Sequence, residues 1–423
     1  MTTGADTAPP GVRPLRVAVI APNLDGNDVG ETGTSFRLLR AMADTGLVEL
    51  TVLVLHRPGH QPAAEQLPDL EVVSWTEPKF FLRFERFNAM AKPAIPSFYA
   101  KCRAWIEARR AEGRSFDLVH QMLPRAPRYA SPLPGLGIPY VIGPVGGAIP
   151  MPAAFREGGR GGGRWFTRLR DLDGMRFARD PWLRRGFAEA ELTMGVAPYM
   201  REVLSDLKLK RFEPFLGVGV DSLAPETTRE LTPGKLRLLH VGRAVRTKGL
   251  RDAVRALALL PDLPQVTLTV VGAGEEIEPV RRIAAEAGIA DRVEFLGKKP
   301  RADIEALYES HDALLFPSFR ESMGGVLYEA MRWGQPAITV AHGGPGFIVD
   351  ESCGRLVPLT DPEAMPADLA AAIRDLATDV DLRARLSAGA RAKVEAEALW
   401  PAKARRMIGL YHEVLADSSG PQA

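Results

Sequence analysis

The stretch LRLLHVGRAVRTKGLRDAVRALALL, residues 236–260, contains the unit from which the fold is built. Its first six residues form a short apolar run, which is typical of a strand buried on both faces of a parallel sheet. A glycine-containing loop follows, and from Leu250 onward apolar residues recur at helical spacing. A strand, a loop and a helix in this order predict one repeat of an α/β fold.

The same order of strand, loop and helix recurs along the chain. Apolar runs before this stretch are LRVAVIAP (15–22), VELTVLVLH (48–56), FDLVHQM (116–122), PYVIGPVGG (139–147) and ELTMGVAP (191–198). Those after it are VTLTVVGAGEE (266–276), VEFLG (293–297) and ALLFPS (313–318). The pattern changes near Arg211–Asp221 and then restarts. We therefore predict two Rossmann-like halves in series, with ligands at the carboxyl ends of the strands and a site in the cleft between the halves.

The predicted division of the chain has four parts. Residues 1–14 form a disordered leader, because they are polar and Pro-rich and lack the apolar core of a signal peptide. Residues 15–212 form the first Rossmann-like domain and residues 213–395 the second. The last segment is rich in Ala and reads as helical throughout from about Ser387 to Leu415. Its end, residues 396–423, is predicted as a helix packing toward the first domain.

Composition excludes several classes of protein. The chain has 423 residues, of which 46% are hydrophobic and 25% charged, as in water-soluble globular proteins. No run of about 18 apolar residues predicts a membrane-spanning helix. The two cysteines, Cys102 and Cys353, lie far apart without a CxxC partner, which argues against a disulfide framework and a zinc site. We expect a cytoplasmic protein.

Positive charge is concentrated in one segment. The formal net charge is only +2, yet Arg156–Arg185 holds nine arginines and four acids. Such a basic arm can meet an anionic membrane or a phosphate, and a solvated loop with local ion pairs explains it equally well. A peripheral contact at the inner membrane face therefore stays open. No nucleic-acid-binding motif accompanies the charge, so we expect no nucleic-acid partner.

The loop His240–Leu250 predicts an anion site. Gly242 allows a tight exit from the strand, and Arg243 and Lys248 stand beside the start of the next helix. Cations near a helix N-terminus favour phosphate, although the GxxxxGK[ST] spacing of a P-loop is absent. The loop Val270–Val280 carries Gly272 and Gly274, but Ile277 replaces the third glycine of a dinucleotide fingerprint, so a turn that admits a flat base explains it as well.

The stretch FPSFRESMGGVLYEAMRWGQPAI, residues 316–338, places two glutamates eight residues apart. The predicted helix begins near Gly324 or Gly325, where free N–H groups can meet phosphate oxygens. Glu329 lies one turn into that helix and can accept hydrogen bonds from a ribose diol. Glu321 precedes the helix and can reach the group beyond the phosphates. Together with Arg243 and Lys248, these residues fit a nucleotide-diphosphate sugar.

VGRAVRTKG (241–249) and PSFRESMGGVLYEAMRWGQPAI together resemble the donor site of retaining GT-B glycosyltransferases of family 4. The resemblance covers nearly the whole chain and is most specific over Leu236–Pro358. It implies that Arg243 and Lys248 bind the diphosphate, that Glu329 holds the ribose, and that Glu321 faces the sugar and the reacting side. Further donor-side positions and a base-facing stretch are implied at Gly272, Ser322, Met323, Gly324, Gly325, Val326 and 293–298.

Several positions depart from the family pattern. Ser322 and Met323 stand where the family usually has Gly and Phe, and Gly325 replaces an aliphatic residue. Residues 218–221 lack the Asn that commonly precedes Gly-Val-Asp.

The resemblance places the acceptor in the N-terminal half. The loop 26–35 matches the family's glycine loop, so Gly30 and Gly33 would approach the donor phosphate and the acceptor. His120 occupies the first position of a common His-x-His pair, and Met122 the second, so His120 is either a catalytic residue or a structural one. Gly146 and Gly147 are predicted to line the acceptor side, with packing glycines as the alternative.

The resemblance also implies a reaction. A sugar from a nucleotide diphosphate, UDP by preference, passes to an acceptor hydroxyl with same-face attack, and the leaving phosphate takes the acceptor proton. The D-x-D triplets Asp171–Asp173 and Asp379–Asp381 read as surface residues, so we expect neither a metal nor another cofactor. The acceptor is a lipid-linked or cell-surface glycan or a small natural product. A nucleotide-sugar epimerase, a non-catalytic nucleotide-sugar-binding protein and an NAD-dependent oxidoreductase are the alternatives.

Overall fold

A computed structural model describes residues 13–28, 30–78, 93–155, 172–226, 229 and 231–419. The described chain forms two compact units. The first unit comprises residues 1–148, 163–217 and 400–423, and the second comprises residues 149–162 and 218–399.

The first unit is built on a seven-stranded parallel sheet in the order β3-β2-β1-β4-β5-β6-β7. Its strands are β1 (Leu15–Ile20), β2 (Val48–His56), β3 (Glu71–Thr76), β4 (Leu118–Gln121), β5 (Tyr140–Val145), β6 (Leu192–Gly195) and β7 (Phe212–Pro214). Its helices are α1 (Glu31–Ala43), α2 (Ala63–Gln66), α3 (Ala94–Ala111), α4 (Leu172–Arg179), α5 (Pro181–Glu189) and α6 (Met200–Val203).

The second unit repeats this topology with a six-stranded parallel sheet in the order β10-β9-β8-β11-β12-β13. Its strands are β8 (Leu236–Val241), β9 (Val266–Val271), β10 (Val293–Gly297), β11 (Ala313–Phe316), β12 (Ala337–Val340) and β13 (Gly354–Val357). Its helices are α7 (Leu250–Ala258), α8 (Ile277–Glu286), α9 (Arg301–Ser310), α10 (Gly325–Met331), α11 (Pro345–Ile348), α12 (Met365–Thr378) and α13 (Val380–Lys393).

The strands form where the sequence predicts them, because each unit buries both faces of its sheet. The residues Val17–Ile20 of β1 and Ala313–Leu315 of β11 have no exposed surface. Continuous Val, Ile and Leu runs suit strands that are covered by helices on both sides. The predicted α/β fold with two Rossmann-like sheets is confirmed.

In each sheet the strand order reverses at one place. The order runs outward in one direction from β1 and in the other from β4, and likewise from β8 and β11. Such a reversal opens a crevice at the carboxyl ends of the two central strands, and ligands of doubly wound folds bind there. The loops after β1, β4, β8 and β11 are therefore where function is expected.

The end of the chain is not one continuous helix. Helix α13 runs into a π-helical segment at Val394–Ala398, and Leu399 then takes an extended conformation before α14 (Trp400–Ser419) begins. Pro401 explains the interruption, since proline is tolerated only in the first turn of a helix. Met407 and Tyr411 of α14 are buried in the same core as Leu39 and Met42 of α1, so the last helix belongs to the first unit.

One stretch that follows β5 in the chain is assigned to a different unit than the sequence predicts. Residues 149–155 lie with the second unit, although the sequence assigns them to the first domain. Phe155 packs against Phe319 with ring centroids 5.1 Å apart, and the carbonyl of Pro150 lies 2.8 Å from His342 Nε2. These contacts join residues that are far apart in the sequence, so a local sequence pattern cannot predict them.

Candidate functional site

The loop after β8 turns back sharply against the loop after β11. A 3₁₀ turn at Arg246–Lys248 leads to Gly249, which has a φ of 73°. A Cβ on Gly249 would stand 2.1 Å from the carbonyl oxygen of Pro317, so only glycine fits this approach. Lys248 is thereby brought next to the chain that follows β11.

Two hydrogen bonds fasten the loops together at this point. The backbone N–H of Phe319 donates to the carbonyl of Thr247 at 3.1 Å, and the Ser318 hydroxyl donates to the same oxygen at 3.1 Å. Both loops leave the carboxyl ends of the two central strands of the second sheet. The predicted cation loop and the predicted glutamate loop therefore meet at the switch point of that sheet.

Lys248 and Glu321 form an ion pair there. Their side chains are only 12% and 21% exposed, and the Lys248 ammonium also lies 5.1 Å from the centre of the Phe316 ring. The other carboxylate oxygen of Glu321 accepts from the backbone N–H groups of Met323 and Gly324 at 3.4 and 3.3 Å. The Glu321 carboxylate therefore contacts the cation and the backbone amides that the sequence assigns to phosphate binding. Sequence spacing alone did not predict this pairing.

The other loop cations differ in their availability. Arg243 is exposed, and its side chain makes no hydrogen bond or ion pair with a described residue. Arg246 instead donates to the buried Asp252 at 2.7 Å, with its guanidinium 5.1 Å from the Phe319 ring centre. Within the described loop, Arg243 is the cation that an incoming anion meets without displacing a protein partner.

Helix α10 starts as predicted, at Gly325, with Gly324 in the left-handed region at a φ of 74°. It is only seven residues long. Gly325 lies near Val218, where a Cβ would be 3.7 Å from its side chain. Ser322, Met323 and Val326 are half-buried around this start.

Glu329 is half-buried on α10, and among the described side chains its partner is Tyr308. The Tyr308 hydroxyl donates to Glu329 Oε2 at 3.2 Å. Burial raises the pKa of Tyr308 well above its usual value, and the Glu329 carboxylate raises it further, so the phenol remains a donor. The Tyr308 carbonyl is itself held by Gln335 Nε2 at 2.7 Å. Sequence reasoning missed Tyr308, which comes from the neighbouring helix α9.

A second glycine turn supports the Glu321 loop. Gly344 N–H donates to the carbonyl of Glu321 at 3.0 Å, and a Cβ on Gly343 would lie 2.4 Å from that oxygen. Gly343 has a φ of 62°. The sequence signal for this turn is the pair Gly343–Gly344, which follows the end of the buried strand β12 after two intervening residues.

Gly272 lies at a close backbone crossing. Its φ is 137°, and a Cβ there would stand 1.8 Å from the carbonyl oxygen of Gly242. Its N–H donates to the carbonyl of Gly297 at the end of β10. This glycine joins the ends of three neighbouring strands, and the base-facing role that the resemblance implies for it and for 293–298 stays a prediction.

The glycines predicted in the first unit differ in exposure. Gly30 and Gly147 are exposed and take φ values of 85° and 94°. Gly33 is buried, and a Cβ there would lie 2.0 Å from the carbonyl oxygen of Asp28. Gly146 packs against the Val196 side chain. The geometry of Gly33 and Gly146 is that of packing glycines.

His120 has no exposed surface and uses both ring nitrogens within the protein. Nε2 lies 2.5 Å from the carbonyl oxygen of Gly143, which can only accept, so this nitrogen carries the proton. Nδ1 then accepts from the Tyr411 hydroxyl at 2.6 Å. Burial lowers the pKa of His120 to about 4. Of its two sequence-based interpretations, this environment matches the structural histidine.

Arg125 is a buried cation that sequence reasoning missed. Its Nη2 donates to the Thr34 hydroxyl at 2.8 Å and to the carbonyl of Gly217 at 3.0 Å. Burial lowers the pKa of Arg125 to about 10 against the opposing effect of Glu31. A Cβ on Gly217 would meet this guanidinium at 2.8 Å. Arg125 therefore ties the first turn of α1 to the chain that follows β7.

The basic arm is only partly described. Residues 156–171, which include Asp171, lie outside the described residues, as does the side chain of Asp173. In the described remainder, Arg176 pairs with Asp180 at 2.9 Å and Arg185 with Glu189 at 2.6 Å. Asp379 accepts from Leu382 N–H at 2.8 Å and caps α13. Membrane contact through the arm stays a prediction; among the described helices, none is long and apolar enough to cross a bilayer.

Comparison with known proteins finds a family match within the second unit. The sequence model of the family described as Glycosyl transferases group 1 matches residues 228–393. The D-inositol 3-phosphate glycosyltransferase of Corynebacterium jeikeium is 33% identical over 226 residues, which cover 51% of this chain and 52% of that protein. The 2-deoxystreptamine glucosyltransferase of Streptomyces kanamyceticus is 38% identical over 152 residues, 35% of this chain and 38% of that protein.

These matches are partial, because the chain spans about half the length, or less, of the curated relatives it matches. Structural comparison covers more. Alr3699/HepE of Anabaena, solved in complex with UDP, aligns with a TM-score of 0.60 over 94% of this chain and all of that one, at 17% identity. An identity this low shows the fold alone. The chain thus has the two-sheet fold of GT-B glycosyltransferases, and its residues 228–393 match the sequence model of the group 1 glycosyltransferases.

Proposed function

We propose that this protein is a retaining glycosyltransferase that moves a sugar from a nucleotide-diphosphate sugar to an acceptor hydroxyl. The observation that carries the proposal is the meeting of the loops after β8 and β11 at the switch point of the second sheet. That meeting brings Arg243, Lys248 and Glu321 to one strand edge, and Glu329 stands on the helix that follows. Cations beside a pair of half-buried carboxylates suit a ligand with phosphates at its middle and hydroxyls at both ends.

Each residue has a role in the proposed reaction. Arg243 and Lys248 bind the diphosphate and stabilise the charge that develops on it as it leaves. Glu329, oriented by the Tyr308 hydroxyl at 3.2 Å, accepts hydrogen bonds from the ribose. Glu321 exchanges its partner Lys248 for the sugar hydroxyls when the phosphates arrive.

The chemistry balances without a redox partner. The bond between the anomeric carbon and the phosphate oxygen breaks, and a bond from the acceptor oxygen forms on the same face of the sugar. The acceptor proton passes to the leaving phosphate oxygen, and the products are the glycoside and the nucleoside diphosphate. We propose no metal, because the two cations supply the positive charge that the leaving group needs.

UDP is the proposed nucleotide, supported by its presence in the Anabaena structure of the same fold. The named relatives act on different acceptors, an inositol phosphate in one case and 2-deoxystreptamine in the other. Their names support a small polyol as the acceptor.

A transfer assay tests the proposal. UDP-sugars and GDP-sugars are incubated with the protein and a panel of polyol and glycan acceptors in the presence of EDTA, and products are followed by mass spectrometry and proton NMR. We expect one donor to give a glycoside of unchanged anomeric configuration together with its nucleoside diphosphate. An inverted product would overturn same-face attack, and an isomerised donor formed without acceptor would identify the epimerase alternative.

A further inference from the structure

The first unit carries a cavity of about 260 Å³. Its walls come from the chain after β1, β2, β3 and β4, and they include Leu24, Arg57, Glu77 and Pro124. The strands β1 and β4 are the pair at which the order of the first sheet reverses. The cavity therefore occupies the ligand-binding position of a doubly wound sheet, as the loops after β8 and β11 do in the second unit.

The size of this cavity limits what it can hold. Sites for drug-sized ligands have volumes of about 300–1,000 Å³. A cavity of about 260 Å³ is slightly smaller and suits one six-membered ring with its substituents. Because a transferase needs a site for a second substrate, and the nucleotide sugar is assigned to the second unit, this cavity is the candidate.

Most of the charged residues in the described lining of the cavity are acidic. Asp25, Asp28, Glu31 and Glu77 line it, against Arg57 as the one arginine or lysine among the lining residues. Two histidines and several neutral polar groups complete the wall. The buried Arg125 guanidinium acts on Glu31 electrostatically, but Arg125 is not part of the lining.

Two basic side chains in the wall already face carboxylates. Arg57 Nε lies 3.7 Å from Glu77 Oε2, and His60 Nδ1 lies 3.4 Å from Asp25 Oδ2. A phosphate entering this cavity would have to displace those partners and would still face the remaining acids. Like charges brought together in this way select against an anionic ligand.

The acidic groups are arranged to receive donors. Asp28 accepts from the Thr32 hydroxyl at 2.6 Å, and Glu31 makes no hydrogen bond or ion pair with a described residue. Asn23 also lines the cavity, and its Oδ1 is buried without a hydrogen-bond donor in the described part of the chain. The loop that carries Asp25 is fixed, since Gly26 N–H donates to Gln66 Oε1 at 2.8 Å. The oxygens of Asn23 and Glu31, which receive no donor from the described chain, suit a ligand rich in N–H and O–H groups.

A larger cavity in the same unit lacks these properties. It measures about 560 Å³ and lies at the amino end of β5, where Tyr140 begins the strand. Its Glu191 pairs with Lys210 at 2.7 Å, and Glu189 pairs with Arg185 at 2.6 Å. The amino ends of parallel strands are not where such folds bind ligands.

We propose that the cavity at the β1/β4 switch point binds the acceptor, and that the acceptor is a small polyhydroxylated ring bearing a protonated amine. The hydroxyls donate to the fixed oxygens, and the ammonium meets Asp28 and Glu31. This inference rests on the proposed glycosyltransferase function and narrows its acceptor class to cations.

Three ring polyols of different charge test it: 2-deoxystreptamine as the cation, myo-inositol as the neutral ring and D-inositol 3-phosphate as the anion. Each is titrated calorimetrically into the full chain with and without saturating UDP, at low and at high ionic strength. The variants are Glu31→Gln, Asp28→Asn and the pair combined. Glu49→Gln is the matched control, because Glu49 is an exposed carboxylate at the amino end of β2, away from the cavity.

We expect the cation to bind at least about tenfold more tightly than either other ring, and salt to weaken it. An exposed ion pair contributes little to binding. Glu31→Gln should therefore weaken the affinity for the cationic ring by about three- to fivefold, and the combined variant should weaken it by about tenfold. The control should bind like the unaltered protein. Any other ranking of the rings, including no binding of any, overturns the inference, as does an equal loss in Glu49→Gln.

The nucleotide titration separates the two proposals. If UDP binds and the anionic or neutral ring ranks first, the acceptor assignment fails while the proposed function stands. If UDP does not bind, the proposed function fails, and the ranking measured without nucleotide still decides the charge preference of the cavity.

Discussion

The two units share one sheet topology, yet the loops at their switch points carry different sets of charged residues. In the first unit, four carboxylates line the cavity beside β1 and β4. In the second, Arg243, Arg246 and Lys248 stand on the loop after β8. The backbone of a doubly wound sheet places a site at the same edge in both cases. The side chains on the loops decide which ligand that edge receives.

The comparison also separates cations that hold the structure from cations that can bind. Arg125 and Arg246 are engaged with protein oxygens, as in the bond from Arg246 to Asp252 at 2.7 Å. Arg243 is exposed without a partner among the described residues, and Lys248 pairs with a carboxylate that belongs to the proposed site. Charge on a loop therefore indicates a ligand only after the partners of each charge are known.

The largest effect is expected from Lys248→Ala. Removing a cation that stabilises the leaving phosphate should lower kcat/KM for the nucleotide sugar by about a hundredfold to a thousandfold. Steady-state kinetics, with the donor sugar nucleotide found in the transfer assay, measures this effect. Lys235→Ala is the control, because Lys235 is an exposed lysine at the amino end of the same strand, β8.

Loss of the Lys248 partner also leaves Glu321 unpaired, so folding must be checked in parallel. Lys248→Ala combined with Glu321→Gln removes that unpaired charge. If the double variant regained full turnover, the ion pair would be structural and Lys248 would have no role in leaving-group stabilisation.

A smaller effect is expected at the ribose end. Glu329→Gln should weaken the binding of UDP by about tenfold or more, since hydrogen bonds to charged groups contribute about 1.5–3 kcal/mol. Tyr308→Phe removes only the hydrogen bond that orients the Glu329 carboxylate, and it should weaken the binding of UDP by about threefold to tenfold. Calorimetry with UDP and its 2′,3′-dideoxy analogue measures both.

The dideoxy analogue makes this prediction specific. It lacks the hydroxyls that Glu329 is proposed to hold, so both variants should bind it as the unaltered protein does. An equal loss of affinity for the two ligands would mean that Tyr308 and Glu329 support the fold of α9 and α10 instead of the ribose.

The smallest effect is on stability against acid, and it should appear in both units. Burial lowers the pKa of His120 and of His240 to about 4, so each histidine is neutral in the folded protein. An unfolded histidine titrates near 6.5 and takes up a proton first as the pH falls. The stability is fully present above that pH and falls by about 1.4 kcal/mol per pH unit and per histidine down to about pH 4.

Variants of the two histidines assign this slope to its unit. His120→Gln and His240→Gln should each flatten the dependence of the unfolding free energy on pH between about 5 and 6.5, where carboxylates contribute least. His120→Gln should also lower stability more, because it loses the bonds to Gly143 and Tyr411. Among the described residues His240 has one such bond, from Nδ1 to the carbonyl of Leu315. A slope unchanged in both variants would contradict the buried neutral state.

Sequence predicts the sheets well because their signal is local. An apolar run such as residues 236–241 must be covered on both faces, and a parallel sheet with flanking helices is the simple way to do so. The start of α10 at Gly325 is local in the same sense, since Gly324 permits the left-handed turn that begins it. The break at Leu399 was missed, because the Ala-rich composition outweighed Pro401.

The side-chain partners could not be predicted, because they join residues distant in the chain. Lys248 and Glu321 are 73 positions apart, and His120 and Tyr411 are 291 apart. Sequence spacing predicted that Lys248 and Glu321 lie at the same edge of the sheet, but it did not predict that they form an ion pair. The acidic cavity was missed for a related reason: its carboxylates come from two separate segments, after β1 and after β3, and each segment alone looks like ordinary polar surface.

The central claim is that the cations after β8 and the glutamates after β11 form a nucleotide-diphosphate site. Calorimetric titration of UDP into the full chain in the presence of EDTA tests it most directly. We predict submillimolar binding that EDTA leaves unchanged and that Arg243→Ala and Lys248→Ala each weaken. Absence of binding by UDP, GDP and TDP alike, or affinity that both variants retain in full, would contradict it.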